Sequence, residues 1–147
     1  MGRGAGEQRR VRDRRGACSK HFSLATTMTR NRHVIFVVDD DHDLRESLRE
    51  ILEEEGFETM GASNGKEAIE LLSGDQPRPR LILLDIMMPV MTGLDVVDRL
   101  SRDGMMAKTP VVLMTAFRTL VKTNEKTPVL FKPFSIDGVL SAIRNAC

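Results

Sequence analysis

Five polar residues follow directly on short apolar runs. They are Asp39 and Asp40 after VIFVV, Asp85 after LILL, Thr115 after PVVLM and Lys132 after VLF. Three carboxylates, a hydroxyl and an amine make a chemically specific set. Carboxylates sharing a cleft repel one another and stay ionised only beside a compensating cation. Oxygen donors without His or Cys suit Mg2+ better than zinc. A lysine in the same cleft can bridge to a carboxylate or to an incoming anion. Metal, lysine and carboxylate together are the parts needed for phosphoryl transfer: the cations neutralise phosphoryl oxygens and one carboxylate attacks. Taken singly, an Asp at the end of a strand is a turn or cap residue. Asp41 and Asp43 read that way, with Asp43 as the helix cap. Recurrence at four separate run ends is the informative feature, because each element would have to place its polar residue there independently.

The set converges only if the apolar runs are neighbouring strands. Val34–Val38 is continuous, β-branched and stopped by three aspartates, the pattern of a strand buried on both faces. Residues 81–84 (LILL) and 110–114 (PVVLM) repeat it, residues 57–62 form a weaker strand, and Val129–Phe131 a short last one. Helical stripes alternate with these runs. Leu44, Leu48, Ile51 and Leu52 make the first stripe, and Gly56 stops it. Asn64-x-x-Glu67 reads as a capping box opening a helix with Ala68, Ile69 and Leu72 inward. Thr92-Gly93 starts a third helix, with Leu94, Val97 and Leu100 inward. Ser135 caps a last one carrying Ile136, Val139, Leu140 and Ile143. Such alternation predicts a parallel sheet covered by helices on both faces, and right-handed crossovers bring every strand's C-terminal end to one rim. Ligands bind at that rim.

The composition is that of one soluble domain: 147 residues, 41% hydrophobic and 29% charged. No apolar run approaches the ~18 residues of a membrane span. Cys18 and Cys147 fit neither a disulfide scaffold nor a metal-ligand spacing, so a reducing cytoplasmic location is expected. The net charge of +1 hides an asymmetry: residues 1–33 carry nine Lys/Arg against two acids, and residues 34–147 carry 13 against 19. With few large apolar side chains and no periodicity, residues 1–33 read as a disordered basic tail. Three readings stand: translation begins at Met28 and the tail is not made, the tail is inert, or its arginines touch nucleic acid or an anionic surface.

Residues 34–147 resemble the receiver domain of bacterial two-component response regulators. The resemblance rests on VVDDDHDLRESL, LILLDIMMPVMTGLDVV, PVVLMTA and VLFKPF. It implies a flavodoxin-like α/β fold, a doubly wound five-stranded parallel sheet in the order 2-1-3-4-5. It also implies roles. Asp85 would be the phosphoacceptor. Mg2+ would be held by Asp40 directly, Asp39 through water, Asp85 and the backbone carbonyl of Met87. Thr115 would hydrogen-bond the phosphoryl group and Lys132 would pair with one of its oxygens. Small Ala116 would leave an entry path, and Lys132-Pro133 would be a cis peptide. The donor would be a phosphohistidine on a sensor histidine kinase or histidine phosphotransfer protein. The phosphorylated state would signal in a phosphorelay through a conformational change to a downstream target.

The sequence also departs from similar proteins. Thr115 and Lys132 lie closer together than the family pattern requires, and Leu120 and Val121 are nearly the only apolar residues of the segment 117–127. A shortened or missing fourth helix is expected there. The position of the family's aromatic switch residue holds Val129, which reads as core. No output domain is expected after Cys147, making this a single-domain regulator acting through partners. The main alternative, an aspartyl phosphohydrolase, would need an acid/base Asp two residues after the nucleophile, where Met87 stands. A self-dephosphorylating phosphoacceptor, not a turnover enzyme, is the better fit.

Overall fold

The structure is a computed structural model that describes residues 33–76, 78–117 and 127–146. Five parallel strands form one sheet: β1 (Val34–Val38), β2 (Glu58–Ala62), β3 (Leu81–Asp85), β4 (Val111–Thr115) and β5 (Val129–Phe131). Their order is β2-β1-β3-β4-β5. Four α-helices are present among the described residues: α1 (His42–Glu54), α2 (Gly65–Leu72), α3 (Gly93–Arg102) and α4 (Ile136–Ala146). The sheet order and the alternation of elements match the expected doubly wound architecture. The segment 117–127, where a shortened or missing fourth helix is expected, falls mainly on residues 118–126, outside the described residues.

β1, β3 and β4 are buried along their whole length. Alternation along them splits the core into two layers. Ile35, Val37, Leu81, Leu83, Val112 and Met114 pack with Leu48 and Leu52 of α1 and Val139, Leu140 and Ile143 of α4. Phe36, Val38, Ile82, Leu84, Val111 and Leu113 pack with Ala68 and Ile69 of α2 and Val96 and Leu100 of α3. This is why those strands read as unbroken apolar runs: neither face meets water.

Four local details differ from the sequence reading. Asp41, not Asp43, caps α1, its carboxylate accepting from the Leu44 N–H at 3.2 Å; the helix starts two residues earlier and Asp43 falls in the first turn. Asn64 caps α2 as expected, but Glu67 reaches past it and accepts from the Ser63 N–H at 2.7 Å and from the Ser63 hydroxyl. Leu94 is 45% exposed, while Val96 is fully buried. The Thr92 cap sets this phase, turning positions 93, 96, 97 and 100 toward the sheet. Ile136 is 51% exposed for the same kind of reason, since the stripe of α4 begins one turn later at Val139. Gly56 does end α1, with φ at 99°.

Candidate functional site

All five strands point their C-terminal ends to one rim, and the polar residues of the apolar runs collect there. Val38 pairs with Leu84, which sets Asp39 beside Asp85. Met114 pairs with Asp85, and Thr115 with Phe131. The Lys132 N–H continues the ladder by donating to the Thr115 carbonyl at 2.8 Å. By alternation Asp39, Asp85 and Lys132 continue the layer that packs against α1 and α4. Thr115 continues the opposite layer.

Asp39, Asp40 and Asp85 present carboxylate oxygens that all lie within 4.8 Å of one another. Asp39 and Asp85 are buried and Asp40 is exposed. Lys132 Nζ donates to Asp39 Oδ2 at 2.9 Å and lies 3.3 Å from Asp85 Oδ1. The Asp41 N–H donates to the other Asp39 oxygen at 2.9 Å. Burial pushes the Asp85 carboxyl up to about 6, and the charge of Asp39 pushes the same way. Lys132 works against both, and Asp40 adds a smaller upward push. For Lys132, burial favours the neutral amine. The hydrogen bond and charge of Asp39, followed by those of Asp85, outweigh it and hold the ammonium above its ordinary range.

One ammonium among three carboxylates leaves the pocket net negative. The donors are all oxygens, one side is open through Asp40, and the spacing suits a shared ion. These residues fit a hard divalent cation such as Mg2+. The closed side places Asp85 where a nucleophile needs to be, beside a cation and shielded from bulk water.

The remaining expected site residues lie at the same rim of the sheet. Thr115 is fully buried, and its Oγ1 accepts from the Phe117 N–H at 3.0 Å. Met87 lies two residues past Asp85 in the loop to α3, its side chain 49% exposed. Ala116 is exposed. The Lys132-Pro133 peptide is cis. Val129 packs against the α2/α3 core layer, in keeping with its reading as a core residue. Gly93 returns the loop to the sheet: its N–H donates to the Ile86 carbonyl at 2.8 Å. A Cβ on Gly93 would lie 2.3 Å from the Asp85 carbonyl oxygen, so no larger residue fits without moving Asp85.

Two rim residues carried no signal that the sequence reading used. Arg45, in the first turn of α1, donates from Nη1 to the Asp39 carbonyl at 2.8 Å. An arginine six residues after the first aspartate, at the start of a helix, is the pattern that could have found it. Val90 is a β-branched residue at φ 73° and 77% exposed. Nothing in its residue type announces such a backbone.

Residues 35–144 match the family model for the response regulator receiver domain. Over 116 residues the chain is 36% identical to the transcriptional regulatory protein CrdR of Helicobacter pylori, covering 76% of this chain and 53% of CrdR. It is 31% identical to sporulation initiation phosphotransferase F of Bacillus subtilis, covering 76% of this chain and 90% of that protein. The chain thus spans about half the length of CrdR and nearly all of the phosphotransferase. Among solved structures, TrrA of Thermotoga maritima, in complex with Mg(2+)-BeF, superposes with a TM-score of 0.68 at 30% identity, covering 78% of this chain and 98% of TrrA. The chemotaxis protein CheY4 of Vibrio cholerae gives 0.68 at 26% identity, covering 79% of this chain and 99% of CheY4. Family model, relatives and fold agree with the acidic rim, and the chain belongs to the response regulator receiver domain family of two-component systems.

Proposed function

We propose that this receiver accepts a phosphoryl group from a phosphohistidine onto Asp85 in a Mg2+-dependent reaction. The observation that carries the reading is the buried Asp85 carboxylate, set between the ammonium of Lys132 at 3.3 Å and the carboxylates of Asp39 and Asp40. Asp39, Asp40, Asp85 and the backbone carbonyl of Met87 would hold the cation. When bound, Mg2+ would supply positive charge for the transferring phosphoryl oxygens and keep Asp85 ionised.

The residues of the chain account for the rest. An Asp85 carboxylate oxygen attacks phosphorus as the bond from phosphorus to the donor imidazole nitrogen breaks; the imidazole keeps that electron pair and takes a proton from water. Lys132 is already paired with Asp39 and Asp85 and can turn its ammonium to a phosphoryl oxygen. Thr115 offers its hydroxyl proton to another oxygen, while its Oγ1 accepts from the Phe117 N–H. The product is an acyl phosphate, open to hydrolysis, so the state limits itself. New bonds from Thr115 and Lys132 would shift a pre-existing equilibrium and carry the signal to a downstream protein. TrrA, held with Mg(2+)-BeF, is the neighbour that supports the metal reading. The partner is a sensor histidine kinase or histidine phosphotransfer protein, and the setting is cytoplasmic. No helix among the described residues is long and apolar enough to cross a membrane.

The test is labelling by acetyl phosphate with Mg2+ or with EDTA. The expected result is at most one phosphoryl group per chain, none with EDTA and none in Asp85→Asn. Undiminished labelling of Asp85→Asn would contradict the assignment. Release of many equivalents of phosphate per chain would favour a phosphohydrolase instead.

A further inference from the structure

Asp39 is fixed at every polar group it has. Its N–H donates to the Ala62 carbonyl of β2 at 3.1 Å. One carboxylate oxygen takes the Asp41 N–H and the other takes Lys132. Its carbonyl takes Arg45 Nη1 at 2.8 Å. Asp40 differs: it is exposed, and no hydrogen bond or ion pair holds its carboxylate among the described residues. Where that carboxylate points therefore depends on the peptide plane joining Asp39 to Asp40, and Arg45 is the side chain that grips this plane.

Arg45 is itself held in place. Its side chain is only 14% exposed. Nη2 lies 3.1 Å from His42 Nδ1, and Nε lies 3.8 Å from Glu46. Its stem runs across Gly61 of β2. A Cβ there would lie 3.4 Å from Arg45 Cδ and 3.3 Å from Arg49 Nη1, so the glycine leaves the channel in which both arginines lie.

We propose that Arg45 is a positioning residue for the cation site, holding the Asp39–Asp40 peptide so that both carboxylates face the shared ion. The inference rests on the metal reading above. It also has a sign that separates it from simpler roles. A guanidinium behind a cation site repels the incoming ion, so removing a charge that acts only through its field would tighten Mg2+ binding. Removing a positioning group weakens it, by about 10-fold where the residue supports metal ligands from behind.

The experiment is a calorimetric titration of the full chain with Mg2+ at neutral pH. The protein has no Trp and no Tyr, which leaves no intrinsic tryptophan signal to follow. Arg45→Met keeps the stem and loses the donor; its Kd for Mg2+ should rise about 10-fold. Arg45→Lys keeps the charge and one donor and should recover part of that loss. Gly61→Val displaces the stem without changing charge and should weaken binding in the same direction. Melting in EDTA identifies which variants are folded; if Arg45→Met is not, Gly61→Val and Arg45→Lys decide the matter. Unchanged or tighter Mg2+ binding by folded Arg45→Met, with wild type binding normally, overturns the positioning role and leaves the site reading intact. A wild-type chain that takes up no Mg2+ overturns both.

Discussion

The two rims of the same sheet obey different rules. At the N-terminal rim, where β1, β2 and β3 begin, His33 packs edge-on against Phe57, with ring centroids 6.5 Å apart. Burial, helped by the charge of Arg80, holds its imidazole below the ordinary value and so favours the neutral form. At the C-terminal rim lie three of the four buried polar residues found among the described residues: Asp39, Asp85 and Thr115. The large apolar side chains described as exposed collect there too: Met87, Val90, Leu94, Phe117 and Ile136. So does Val90, the one described non-glycine residue with positive φ. The N-terminal rim shows no acidic cluster that could hold a metal and no positive-φ side chain among the described residues. The other tolerates buried like charge, strain and exposed apolar surface, as sites built for chemistry do.

The contrast can be tested by perturbing each region. Phe36→Ala in the sheet interior should cost about 4 kcal/mol, because it removes a fully buried ring and leaves a cavity. Chemical denaturation should show that loss while Mg2+-dependent labelling survives in the folded fraction. Lys132→Ala leaves Asp39 and Asp85 buried without their cation. It should cost about 3 kcal/mol in EDTA, near the low end for breaking a buried pair from one side. Mg2+ should restore much of this stability, whereas it should not repair Phe36→Ala.

Asp85→Asn should act in the opposite direction. The folded carboxyl titrates near 6 against an ordinary 3.8. Between those values the folded protein holds a proton that the unfolded chain has released, so stability falls as pH rises through the window. Above it the ionised Asp85 is a standing cost. Without metal at pH 7.5, Asp85→Asn should be more stable by on the order of 3 kcal/mol, at about 1.4 kcal/mol per pH unit across the window from 3.8 to about 6. Thermal melts should show the gap closing below pH 4. A constant gap would mean that Asp85 is not strained by its neighbours. The smallest effect concerns Val90→Gly, which relieves a left-handed backbone and should gain about 1 kcal/mol, with labelling by acetyl phosphate unchanged.

The same contrast explains what could be read from the sequence. β1, β3 and β4 are buried on both faces, so their limits stand out where an apolar run meets Asp39, Asp85 or Thr115. Those limits carried the site with them. Helix phase was harder to read. Leu94 and Ile136 look like core residues by type, but the caps at Thr92 and Ser135 set which positions face inward. Strand order rested on the resemblance, because apolar runs do not record which neighbour they pair with. Arg45 stayed hidden because it acts through a backbone carbonyl of a residue already assigned a role. Val90 stayed hidden because a β-branched residue at positive φ contradicts its own propensity.

The most direct measurement is peptide mapping after phosphoryl transfer from a phosphohistidine donor protein in Mg2+. The labelled carboxyl is trapped by reduction and located by mass spectrometry. The proposed reaction predicts a single modified position, Asp85, with none in EDTA. Modification at Asp39, Asp40 or outside the C-terminal rim would contradict the account.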